Sequence, residues 1–137
     1  MLPSRLAKAV RSKTPSQGPG ITFQVRGTYR PMPRKVEDQI VRIAQEALSN
    51  AVRHASARSI GVTLTYDASN LVLCVCDDGR GFDPSGQAFT AGGHFGLQGM
   101  RERATTIGAR LNVDGKPGGG TEVRVTMDLN EAGKVDG

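Results

Sequence analysis

The feature that most restricts how this chain can fold is an acidic turn broken by glycine, Asp77-Asp78-Gly79-Arg80-Gly81-Phe82, set at the end of an alternating apolar stretch. Such a stretch lies as a strand with one buried face, and the glycines end it abruptly. Upstream is an amphipathic helical pattern carrying Glu46 and Asn50; downstream is a second glycine turn, Gly93-His94-Phe95-Gly96-Leu97-Gln98-Gly99-Met100. Aspartate and glycine fill ordinary turns for conformational reasons alone, so one such turn says little. Three elements in this order point to a binding site.

The helical pattern runs over about residues 34 to 55. Ile40, Ala44, Ala47, Leu48, Ala51 and Ala55 fall in one apolar sector, while Glu46, Asn50 and Arg53 form a separate polar stripe. Small residues in the buried sector let helix and sheet approach closely, and the i, i+4 spacing aims Glu46 and Asn50 at the same place. A merely solvated polar face is the ordinary account of such a stripe. Ile60, Val62, Leu64 and Tyr66 then alternate with small polar residues, and Leu71, Leu73 and Val75 continue the pattern after Asp67-Ala68-Ser69-Asn70, which reads as a β-hairpin. Strand parity puts Asp77 on the face of Leu71, Leu73 and Val75, delivering a carboxylate to the edge of the core. Burying that charge is costly without a donor; the alternative is that Asp77 caps its own turn through neighbouring N–H groups.

The rest of the chain is plainer. Residues 2 to 12 predict a short helix with a thin apolar face, ended by Thr14-Pro15-Ser16-Gln17-Gly18-Pro19-Gly20. Ile21 to Arg26 predicts a strand, and Tyr29-Arg30-Pro31-Met32-Pro33 a loop. Residues 83 to 96 are too glycine-rich for regular structure and too long for a tight turn, the composition of a lid. Leu97 to Gly108 predicts a helix, Leu111 and Val113 a short strand, residues 115 to 120 a turn, and Val123, Val125 and Met127 a last strand. No internal repeat or second domain appears.

At 137 residues the chain suits one domain with a proper core. Its net charge of +5 hints at nucleic acid, yet residues 1 to 35 hold eight Lys/Arg and no Asp/Glu, whereas the remainder holds ten against 13, a net −3. The basicity belongs to the lead-in, and four Phe, two Tyr and no Trp leave little for base stacking, so no nucleic-acid partner is expected. Cys74 and Cys76 share a strand face and are expected to be small core side chains, with no disulfide framework or zinc site. No apolar run approaches the roughly 20 residues that span a bilayer, and nothing resembles a signal peptide. A soluble, intracellular piece is expected.

Four segments carry a family resemblance. Residues Arg42 to Ala55 resemble the N-box of the GHKL (Bergerat-fold) ATPase superfamily, Asp77 to Phe82 its G1 box, and Gly118-Gly119-Gly120-Thr121 its closing glycine box. Gly96-Leu97-Gln98-Gly99-Met100-Arg101-Glu102-Arg103 resembles the G2 box of sensor histidine kinases that pair with response regulators of the NarL/LuxR type. The likeness covers about residues 20 to 129. It implies an α/β two-layer sandwich, a mixed sheet of about five strands with about three helices on one face. Residues 1–19 would then be the basic connection to a dimerisation and phosphoacceptor domain absent from this chain, and 130–137 a tail.

The resemblance also implies roles. Asp77 would accept from the adenine amine; Gly79 and Gly81 would let the backbone approach the base, with Phe82 beside it and Thr121 completing that end. Asn50 would offer its amide oxygen to Mg²⁺ next to the ATP phosphates, and Glu46 would polarise the nucleophile, as a base or an outer orienter. Gly96, Leu97, Gly99 and Met100 would present a helix N-terminus to phosphate, with Arg53 and His54 as further contacts or as plain solvated surface. Position 78 is Asp where many relatives have Asn, and no Phe-x-Pro-Phe box is visible in the lid.

Neither His54 nor His94 fits the setting of a phosphoacceptor, so the resemblance implies the catalytic ATP-binding fragment of a protein-histidine kinase. Its partners would be the helical dimerisation domain of the same kinase and a NarL/LuxR-type response regulator, with no direct membrane contact, a monomeric isolated fragment and a cytoplasmic location. The alternatives are an anti-sigma-factor-type serine kinase of the same superfamily and a nucleotide-regulated interaction module without turnover.

Overall fold

The computed structural model describes residues 1–54, 58–79, 97–115 and 119–129. Among them three helices, α1 (Leu2–Lys13), α2 (Arg34–His54) and α3 (Leu97–Thr106), lie against a sheet of β1 (Gly20–Arg26), β2 (Ser59–Tyr66), β3 (Asn70–Asp77), β4 (Arg110–Gly115) and β5 (Thr121–Asp128). The sheet order is β1-β2-β3-β5-β4. β1 runs parallel to β2 and every other pair is antiparallel, so the sheet is mixed. This is the α/β sandwich the sequence predicts.

Period-two alternation sets the two sheet faces. Ile60, Val62, Leu64, Tyr66, Leu71, Leu73, Val75, Val123, Val125 and Met127 are buried beneath the helices. From α2, Val36, Ile40, Ile43, Ala44, Ala47, Leu48 and Ala51 are buried, and the alanines allow the close approach of helix to strand. The Pro33 carbonyl accepts from the N–H groups of Val36 (3.0 Å) and Glu37 (3.2 Å) and so begins the helix. Glu37 is buried in its first turn and accepts from the Tyr29 hydroxyl at 3.3 Å. The Tyr29 ring meets Tyr66 edge-on with centroids 5.7 Å apart, fastening the loop before α2 to the end of β2.

Two expectations change. The apolar face of α1 is narrow but wholly used: Leu2, Leu6, Ala9 and Val10 are buried as the helix packs on α2. Arg5 pairs with Asp38 of α2 at 2.7 Å at the rim of that contact. Cys74 and Cys76 are not core side chains. The same parity that buries Leu73 and Val75 turns both thiols to the opposite face, where they are half-buried. No helix among the described residues is long and apolar enough to cross a membrane.

Candidate nucleotide site

The site is built where β3 stops. Asp77 pairs in register with Ile60 on one side and Thr121 on the other, so its side chain emerges half-buried at the helix-facing edge of the sheet. One carboxylate oxygen accepts from the Gly79 N–H at 2.9 Å, closing the turn as the capping account expects. Burial pushes the Asp77 carboxyl above its usual value, although the amides of Gly79 and Thr121 pull the other way. Two donors do not exhaust the roughly four lone-pair sites of a carboxylate, so capping and ligand binding are compatible.

Thr121, opposite Asp77, is buried, and its hydroxyl, like that of Tyr66, has no hydrogen-bond partner among the described residues. A buried hydroxyl without a partner is costly, and a group bound at this corner would satisfy it. Gly120 precedes it at φ +87°, and a Cβ there would run into the Asp77 carbonyl oxygen. Only glycine lets β5 enter against the end of β3 this closely. Asp78 does something its sequence position did not reveal. Its Oδ1 accepts from the N–H groups of Arg58 (2.8 Å) and Ser59 (3.0 Å), and its Oδ2 from the Ser59 hydroxyl at 3.1 Å. These donors, the Ser59 amide foremost, hold its carboxyl below the usual range and clamp the start of β2 to the end of β3.

α2 and α3 frame the other end. Glu46 and Arg53 are exposed and Asn50 is half-buried on α2; on α3, Leu97 and Met100 are buried while Gly99 is exposed. A cleft of about 420 Å³ opens between the helices, bounded by Glu46 and Ser49 on one wall, Gly99 and Met100 on the other, and Lys13, Arg42 and Arg103 at its rim. Among the described residues, nothing lies within 4 Å of where a Gly99 Cβ would stand. Three cations against one carboxylate give the cleft a positive balance, suited to phosphate. Gly81, Phe82 and Gly96, with the predicted lid, lie outside the described residues, as does the His54 side chain. In sequence Gly120 is one of three consecutive glycines, and its duty is visible only once β3 and β5 are adjacent.

A helix-on-sheet sandwich whose central strand ends in a half-buried carboxylate beside a buried hydroxyl is a frame that can hold a nucleotide. Residues 35–131 match the family described as "Histidine kinase-, DNA gyrase B-, and HSP90-like ATPase", and the chain belongs to that family. Membership of an ATPase family implies ATP as the nucleotide, and the residues described above fit it. Among curated relatives, the sensor protein VraS of Staphylococcus aureus is 35% identical over 105 residues, 77% of this chain and 29% of the relative. VraS of Staphylococcus epidermidis is 37% identical over 100 residues, 73% of this chain and 28% of the relative. The chain thus spans under a third of the length of these curated relatives. Among solved structures, the histidine kinase domain of the Erythrobacter litoralis EL346 blue-light activated histidine kinase superposes with a TM-score of 0.75 at 26% identity, covering 98% of this chain and 68% of that one.

Proposed function

We propose that this chain is the ATP-binding catalytic domain of a sensor histidine kinase, presenting the γ-phosphate of Mg²⁺·ATP to a histidine on a separate helical dimerisation domain. The observation that carries the reading is the corner at the ends of β3 and β5, a half-buried carboxylate facing a buried hydroxyl with no partner. The edge of an adenine offers both a donor amine and acceptor nitrogens, the two things this corner lacks. By the resemblance, Gly79, Gly81 and Phe82 would border the base. Asn50 holds the metal side of the phosphates through its amide oxygen; Mg²⁺ bound there supplies neutralisation of phosphate charge. Glu46, at the wall of the cleft, orients the attacking imidazole or takes its proton. By the resemblance, Gly96, Leu97, Gly99 and Met100 would offer N–H groups to phosphate oxygens, and Arg53 and His54 would add contacts to them.

The sequence Gly96 to Arg103 supports a response regulator of the NarL/LuxR type as the next acceptor. Residues 20–129 form the catalytic unit, with α1 packed on its α2, and residues 1–19 lead on to the helical domain, in a cytoplasmic setting. Calorimetric titration of ATP with and without Mg²⁺ tests the site. Binding is expected to fall at least about 100-fold in Asp77→Asn, and to lose its Mg²⁺ dependence in Asn50→Ala. Radiolabelled ATP with a separately prepared helical domain tests the transfer: acid-labile phosphohistidine is the expected product. Acid-stable phosphoserine, or tight binding with no transfer, would overturn the kinase assignment.

A further inference from the structure

The sheet face turned away from the helices carries one group of three metal-ligating side chains among the described residues, with all ligand atoms within 4.8 Å of one another. Cys74 and Cys76 place their Sγ atoms 3.0 Å apart. Glu122 of β5, which pairs in register with Cys76, brings Oε1 to 3.3 Å from the Cys74 sulfur and 3.5 Å from that of Cys76. The spacing Cys-x-Cys offers two ligands; the third arrives across the ladder.

A disulfide is the first use to consider for paired thiols. Residues two apart on an extended strand stand about 6.6 Å apart with parallel Cβ directions, whereas a disulfide wants its Cβ atoms about 3.8 Å apart. β3 is hydrogen-bonded on both sides, to β2 and to β5, so it cannot buckle to close that gap without breaking two ladders. The dithiol therefore stays open, as a chelate does.

We propose that Cys74, Cys76 and Glu122 form a zinc site on the open face of the sheet, three protein ligands with water as the fourth. Tetrahedral bonds of about 2.3 Å to sulfur and 2.0 Å to oxygen set ligand atoms about 3.5 Å apart for S···O and about 3.8 Å for S···S. Both S···O distances already match, and a small χ1 swing of two half-exposed thiols opens the S···S distance. Two soft sulfurs select Zn²⁺ over Mg²⁺ or Ca²⁺. Charge also closes: two thiolates and a carboxylate meet the dication and the Arg124 guanidinium, which lies 3.1 Å from the same Glu122 oxygen and orients it. Zinc so bound would staple β3 to β5 directly behind the Asp77 and Thr121 corner.

The test is a Co²⁺ titration of the reduced, nucleotide-free chain followed by absorbance. One ion per chain is expected, with a thiolate-to-cobalt charge-transfer band and tetrahedral visible bands, displaced by Zn²⁺. Cys74→Ser and Cys76→Ser should each weaken Zn²⁺ binding at least about 100-fold, and Glu122→Gln about 10- to 100-fold while keeping the charge-transfer band. Alkylation of the wild-type chain by iodoacetamide, read by mass spectrometry, needs no variant: Zn²⁺ should protect both thiols. A missing charge-transfer band at saturating Co²⁺, one ion shared by two chains, unchanged alkylation, or metal affinity that survives Cys74→Ser would each overturn the proposal.

Discussion

Asp77 and Asp78 are neighbours with opposite electrostatic fates. Burial raises the Asp77 carboxyl, so the stability it contributes is full below its unfolded value and is lost as pH rises through its folded value. Asp77→Asn, which cannot ionise, is expected to remove that decline while abolishing tight ATP binding; urea unfolding across the acid range checks the first part. The amides of Ser59 and Arg58 lower the Asp78 carboxyl, so its contribution is present above the unfolded value and lost as pH falls through the folded one. Asp78→Ala should therefore lower the urea midpoint at pH 7, and the gap from wild type should close below about pH 4. In this chain the Asp78 charge has a structural use.

Two predictions belong to the elements. Gly120 joins the last turn to β5 at a positive φ with no room for a Cβ, so Gly120→Ala should cost about 1–3 kcal/mol in urea unfolding and weaken ATP binding by displacing Thr121. Leu6 of α1 is almost fully buried on α2, and Leu6→Ala should cost about 2–5 kcal/mol by the same measurement. Arg5 and Asp38 are both partly exposed, and breaking their ion pair should cost under about 1 kcal/mol. The contrast separates apolar docking of α1 from its charge. The helix was legible in residues 2 to 12, but not its weight in the core, because a four-residue stripe looks thin until the surface it covers is known.

At the scale of the molecule, the candidate site is a product of sheet order. β3 stands between β2 and β5, so the turn after β3, the clamp onto β2 and the orphan hydroxyl of β5 meet at one end. A nucleotide held as proposed would bind only the folded chain, so saturating Mg²⁺·ATP at 100 times its Kd should add about 2.7 kcal/mol of stability. Thermal unfolding with and without nucleotide measures this, and Asp77→Asn should erase the gain.

The chain's own pattern determined the strands and the amphipathic helix α2, and strand parity placed Asp77 at the edge of the core, because period and parity act between near neighbours. Beyond the β2–β3 hairpin, only the tertiary structure decided which strands lie side by side. That choice gave Gly120 its tight fit under Asp77, α1 its place on α2, and Cys74 and Cys76 a carboxylate on the open face rather than a seat in the core. Such contacts join residues far apart along the chain, and they are set by which apolar faces bury one another, a property of the whole sheet and helix layer that no local spacing encodes.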